Sequence, residues 1–87
     1  MSGKIKKVFV IQFTGEVPEF FNGEQSVVLD VDTPKAAEAL LTERIGRWVS
    51  FLFIDSLDAT GRLYDTKITI GDWDYEANTQ FSTFIRE

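Results

Sequence analysis

Hydrophobic and polar positions change their period several times along the chain. Lys4 to Phe13 holds the consecutive β-branched and aromatic run Val8-Phe9-Val10-Ile11, closed by Thr14-Gly15, which is the pattern of a strand. A long connection, Thr14 to Gln25, carries the turn residues Gly15, Pro18 and Asn22-Gly23. It also carries Phe20 and Phe21, which a plain solvated loop would not need. From Ser26 to Asp32, Val27, Leu29 and Val31 alternate with Val28 and Asp30, giving a second strand with one well-buried face. Thr33-Pro34 then opens a helix. The threonine hydroxyl can cap it, and proline suits the first helical position, where an N–H would have no partner. Ala37, Leu40, Leu41, Arg44 and Ile45 recur at three- and four-residue spacing, and Gly46 is placed to end the helix in the left-handed region.

Trp48 to Asp55 predicts a third strand that is apolar almost throughout, with Trp48 read as core. Asp58-Ala59-Thr60-Gly61 is a hairpin loop, and Leu63 to about Trp73 a fourth strand with Ile68 and Ile70 inward and Lys67 and Thr69 outward. In the tail, Phe81, Thr83 and Ile85 fit a strand, whereas Phe81, Phe84 and Ile85 fit a helix. The threonines and large apolar residues favour the strand.

The element order is therefore ββαββ(β): an α+β two-layer sandwich with one short helix on a mostly antiparallel four- to five-stranded sheet. A right-handed crossover would leave the strands on either side of the helix parallel. Placing the two most apolar strands, first and third, at the centre gives the order 2-1-3-4-5. One helix covers one face only. Yet Phe9, Ile11 and Phe13 alternate with Val8 and Val10, and Trp48, Leu52 and Ile54 with Val49, Phe51 and Phe53. The second face is thus expected to be covered by the Phe20-Phe21 loop, the C-terminal segment, a second copy or another protein.

Composition narrows the function. With 87 residues, residues 1–87 read as one domain, and 44% hydrophobic with 26% charged residues does not suggest disorder. The absence of Cys and His excludes disulfides, thiolate metal sites and imidazole-based triads. Ser and Thr have no visible base except Lys, and Gly15, Gly23, Gly46, Gly61 and Gly71 sit singly, without phosphate-loop spacing. A formal charge of −5 disfavours nucleic acid as the main partner. The apolar run after Lys4, Lys6 and Lys7 is too short for a signal peptide and is followed at once by Glu16 and Glu19. No run reaches the roughly 18 apolar residues of a membrane span, so a soluble cytoplasmic protein is expected.

One segment concentrates candidate chemistry. Asp72, Asp74 and Glu76 alternate with Trp73 and Tyr75, so on a strand the carboxylates share one face and the aromatics the other. The start resembles a calcium loop, but Ala77 stands where the sharp turn needs Gly and Thr83 where a bidentate Glu belongs. The segment reads either as a solvated face beside a turn at Gly71 or as an acidic, aromatic-anchored surface for a basic partner. Lys4, Lys6 and Lys7 form the one basic cluster, read as a solvated strand end that keeps the edge soluble.

In shortness, acidity, absence of Cys and one helix on a small sheet, the chain resembles small proteins of phages and mobile elements, a likeness of class that no motif carries. The expectation is a non-enzymatic protein-interaction module, an inhibitor or adaptor acting by occlusion, with no cofactor or metal and with partner-binding residues Asp72, Trp73, Asp74, Tyr75 and Glu76. The alternatives are a structural homo-oligomer and a nucleic-acid-binding protein.

Overall fold

The computed structural model describes residues 4–86, with side chains for residues 7–81. Five strands form one sheet: β1 (Lys4–Phe13), β2 (Ser26–Leu29), β3 (Val49–Ser56), β4 (Leu63–Ile70) and β5 (Trp73–Arg86). One helix, α1 (Pro34–Ile45), links β2 to β3, and a 3-10 turn (Glu19–Phe21) lies in the connection after β1. The strand order is β2-β1-β5-β4-β3, with every neighbouring pair antiparallel. One short helix on an antiparallel sheet agrees with the α+β reading, and the tail is strand throughout its described length.

The expected order 2-1-3-4-5 is corrected. β5, not β3, takes the position beside β1, and β3 becomes an edge strand. The expectation took two-sided hydrophobicity as the mark of a central strand. That holds for parallel sheets covered on both faces, whereas an antiparallel sheet can leave one face wet. β5 uses this freedom. Register places Tyr75, Ala77, Thr79 and Phe81 on the helix side and Asp74, Glu76, Asn78 and Gln80 on the open side. β2 and β3 do run in the same direction, but with three strands between them.

Local signals set the element ends. Thr33 Oγ1 accepts from the Ala36 N–H at 3.1 Å, Pro34 is the first helical residue, and Gly46 at φ 77° donates its N–H to the Thr42 carbonyl at 2.9 Å. β4 stops at Ile70, short of the expected Trp73. Gly71 at φ 61° supplies the positive-φ position of a two-residue hairpin, so Trp73 opens β5. In the β3–β4 loop the Asp58 carboxylate accepts from the Thr60 hydroxyl and from the N–H groups of Arg62 (2.9 Å) and Leu63 (3.1 Å). These bonds, the Thr60 hydroxyl first, hold its carboxyl below the ordinary Asp value.

The core lies between α1 and the sheet. It contains Phe9, Ile11 and Phe13 of β1, Leu29 of β2, Ala37 and Leu41 of α1, Val49 of β3, Ile68 and Ile70 of β4, and Ala77 of β5. Phe9 meets Phe81 at 5.0 Å and Phe51 at 5.4 Å between ring centroids. Phe21 packs on Phe13 at 5.4 Å, on the helix side, so the Phe20-Phe21 segment closes one end of the core and does not cover the second face. The C-terminal segment joins the sheet as β5, so neither segment of the chain that was expected to cover that face does so. Leu52, Ile54 and Val28 stand exposed near its margins; register fills the middle with Gln12, Asn78, Glu76, Lys67 and Thr69, and towards the far end of β1 with half-buried Val10 and buried Val8. Apolar alternation in the first and third strands had suggested a continuous apolar layer, which β5 and β4, lying between them, interrupt. Trp48, expected in the core, is 68% exposed, because it precedes β3 and lies beside Glu38, Ala39 and Thr42 of α1.

Two buried hydroxyls are satisfied by each other. Thr66 Oγ1 donates to the Tyr64 carbonyl at 3.2 Å, which leaves Thr79 to donate to Thr66 across 2.7 Å. Thr66→Val would strand the Thr79 hydroxyl in the core and is expected to cost about 1–3 kcal/mol in urea unfolding. Thr79→Val leaves Thr66 its carbonyl partner and should cost less, and the double variant should cost less than the sum of the two. For Asp58, a depressed carboxyl contributes stability above its unfolded value near about 3.9, and that contribution is lost as pH falls through the lower folded value. The melting temperature of Asp58→Asn should therefore lie below wild type at neutral pH, and the gap should close as pH falls towards about 2.

Candidate protein-interaction site

The connection after β1 is pinned to the end of the sheet. The Phe13 N–H donates to the Gln25 carbonyl at 2.8 Å, Gln25 Nε2 to the Phe13 carbonyl at 2.9 Å, and the Thr14 N–H to the Glu76 carbonyl at 3.1 Å. Pro18 is buried, Val17 and Phe21 pack on the core, and Asn22 at φ 53° turns the chain back. With those residues anchored, Glu16, Glu19 and Phe20 project outward. They meet the β4–β5 hairpin across a groove of about 310 Å³, lined also by Trp73, Tyr75, Ile70 and Arg47. Trp73 is 67% exposed and Phe20 38% exposed. No ion pair links Arg47 to Glu16 or Glu19.

The five residues singled out in the sequence do not form one site. Asp72 occupies the turn and is exposed. Asp74 and Glu76 fall on the open face of the sheet, opposite Thr69 and Lys67. Asp74 accepts from Thr69 Oγ1 at 2.8 Å and lies 3.9 Å from Lys67 Nζ, so part of its charge is answered within the chain. Trp73 and Tyr75 fall on the helix side, but only Trp73 is exposed. Tyr75 is half-buried, edge-on to Phe13 at 6.4 Å, and acts in packing. Glu16, Glu19, Phe20 and Arg47 were missed. The one signal for them was a pair of phenylalanines in a connection otherwise made of turn residues. Among the described residues no three acidic groups come together as a metal ion would need.

The exposed apolar run of β3 offers a second candidate surface, but its free edge is largely occupied. The N–H groups of Val49 and Phe51, which point away from β4, donate to Thr42 Oγ1 at 3.1 Å and Glu38 Oε2 at 2.7 Å. Ser56 donates to its neighbour Asp55 Oδ1 at 2.9 Å, and the register shifts between Phe53 and Asp55, as at a bulge. Caps, a bulge and a charge are devices that prevent edge-to-edge pairing.

No family model, no curated protein and no solved structure matches the chain. Among the described residues no helix is long and apolar enough to cross a membrane.

Removing the Glu38 cap tests the edge assignment. Glu38→Ala leaves the Phe51 N–H unpartnered at the edge and is expected to lower unfolding free energy by about 1–2 kcal/mol, with Glu38→Gln nearer wild type. Urea denaturation checks the ranking, and light scattering at high concentration should show more aggregation for Glu38→Ala than for Glu38→Gln.

Proposed function

We propose that this is a small, acidic, non-enzymatic interaction module that engages the basic surface of a protein partner and acts by occlusion, as an inhibitor or adaptor does. The observation that carries this reading is the groove itself: Trp73 and Phe20 stand exposed beside Glu16 and Glu19 on a rigidly anchored end of the sheet. A tryptophan two-thirds exposed offers a large apolar area at low entropic cost, the usual character of an interface anchor. Carboxylates beside it favour a cationic partner and raise its rate of encounter. Asp72 adds charge at the hairpin, while Asp74 and Glu76 contribute from the other face of the sheet. A homo-oligomer is the second reading, favoured by the distribution of charge along the molecule described below.

A tryptophan reporter tests the groove. In a Trp48→Phe background the remaining emission belongs to Trp73. Titration with an alternating Lys-Leu peptide should shift that emission saturably. Glu16→Gln with Glu19→Gln should weaken binding about fivefold at low salt, the effect of roughly 1 kcal/mol from two rim charges. Trp73→Ala should abolish binding while leaving stability within about 0.5 kcal/mol, since the side chain is mostly outside the core. An emission unchanged by the peptide, or a Trp73→Ala protein that fails to fold, would refute the assignment.

A further inference from the structure

Charge is divided along the molecule. Residues 1–8 and 82–87 carry four Lys or Arg (Lys4, Lys6, Lys7 and Arg86) against one Glu (Glu87), a formal charge of +3. Residues 9–81 carry five Lys or Arg against 13 Asp or Glu, a formal charge of −8. The basic segments are also structurally apart. β2 pairs with β1 only from Phe9 to Gln12, and β4 with β5 only as far as Gln80. Beyond Phe9 and Phe81 the two strands pair only with each other, Lys4 opposite Arg86 and Lys7 opposite Thr83. This ribbon extends about 17 Å at strand rise, and its backbone has no strand partner on either outer edge. A two-stranded ribbon alone is marginal in water.

We infer that the basic partner of the Trp73 groove is this ribbon in a second copy of the chain. The inference rests on the groove reading and names its occupant. Charge complementarity supports it: the ribbon concentrates cations, and the groove presents Glu16 and Glu19 beside exposed rings. A lysine satisfies both features, its aliphatic stem lying on Trp73 or Phe20 and its ammonium reaching a carboxylate. The ribbon of the same copy cannot enter. β5 runs from the groove at Trp73 to the ribbon at Phe81, eight strand steps or about 26 Å. The contact is therefore head-to-tail, and such contacts close into rings or continue as filaments. Phosphate is the competing occupant of the ribbon, although the chain's net charge of −5 disfavours nucleic acid.

The test is the mass of the full chain by sedimentation velocity as a function of concentration and salt. At about 20 mM salt, where exposed charges are weakly screened, the average mass should rise with concentration above the 9.9 kDa monomer. At about 500 mM salt it should return to the monomer. Lys6→Glu with Lys7→Glu, and Glu16→Lys with Glu19→Lys, should each stay monomeric alone, and their mixture should assemble again. Lys35→Glu with Arg44→Glu, which changes the charge equally on α1, should leave assembly intact, and Trp73→Ala should remove it. Should the glutamate ribbon fail to pair, Lys6→Gln with Lys7→Gln gives the same loss without reversal.

A wild-type monomer under all conditions overturns the inference, as does a helix control that abolishes assembly equally. A ribbon that retains a fluorescent single-stranded oligonucleotide while the chain stays monomeric assigns it to phosphate and overturns the inference as well. If Trp73 still responds to the Lys-Leu peptide in a chain that stays monomeric, the groove stands and the second copy is refuted. If neither occurs, both fail.

Discussion

The ladder between β1 and β5 is the constraint on which the rest of the sheet depends. Ten register pairs join Lys4–Phe13 to Ala77–Arg86. β2 hydrogen-bonds only to β1, and β4 and β3 reach β1 only through β5. Without this ladder the sheet is a β2–β1 pair and a β5-β4-β3 meander, connected only through α1. The ladder is also the pairing with the greatest sequence separation, so it carries the largest loop-closure entropy. Its inner face offsets that cost by fitting large residues against small ones: Phe13 opposite Ala77, Ile11 opposite Thr79, with Phe9 and Phe81 in ring contact. β5 can lie at the centre because Ala77 and Thr79 leave room for the β1 aromatics under the helix.

A second constraint is length. Twelve helical residues span about 18 Å, while the ten-pair ladder spans about 33 Å. α1 therefore covers only part of the inner face. Towards Phe13 the 3-10 turn and Phe21 complete the cover. Towards Phe9 and Phe81, among the described residues, nothing equivalent follows, and Phe53, Tyr64 and Phe81 border an open concavity of about 400 Å³ with Pro34 and Arg62 at its rim. The same mismatch produces the basic ribbon, which begins where the flanking strands stop.

What the sequence made legible was local. Thr33-Pro34 and Gly46 bound the helix because caps act within one turn, and Asp58 to Gly61 marked a loop whose carboxylate serves nearby N–H groups. Strand order was not legible, because it is decided by which strands find partners at long range. Trp48 and Trp73 each follow a turn glycine by two residues, and both stand outside the core. Whether an aromatic at an element boundary faces inward depends on the turn geometry that places it. The groove was illegible for the same reason: Glu16, Glu19 and Arg47 come from segments far apart in the chain and meet Trp73 only after the ladder has formed.

The two kinds of sheet edge are treated differently, and the difference bears on function. β3 is the more hydrophobic edge and the obvious place for unwanted pairing. There Thr42, Glu38 and Asp55 occupy backbone N–H groups, and the bulge before Asp55 breaks the register. At β2 the edge is only four residues long. In the ribbon the two strands pair only with each other, and the sequence supplies Lys4, Lys6 and Lys7. Lysine on an edge suppresses pairing with neutral or basic strands, yet it attracts an acidic surface. The apolar edge of β3 is thus closed by caps, while the basic ribbon lies at one end of the β1–β5 ladder and the Trp73 groove, with its carboxylates and exposed rings, near the other. On the proposed head-to-tail contact, association would run along the β1–β5 ladder and away from the capped edge of β3.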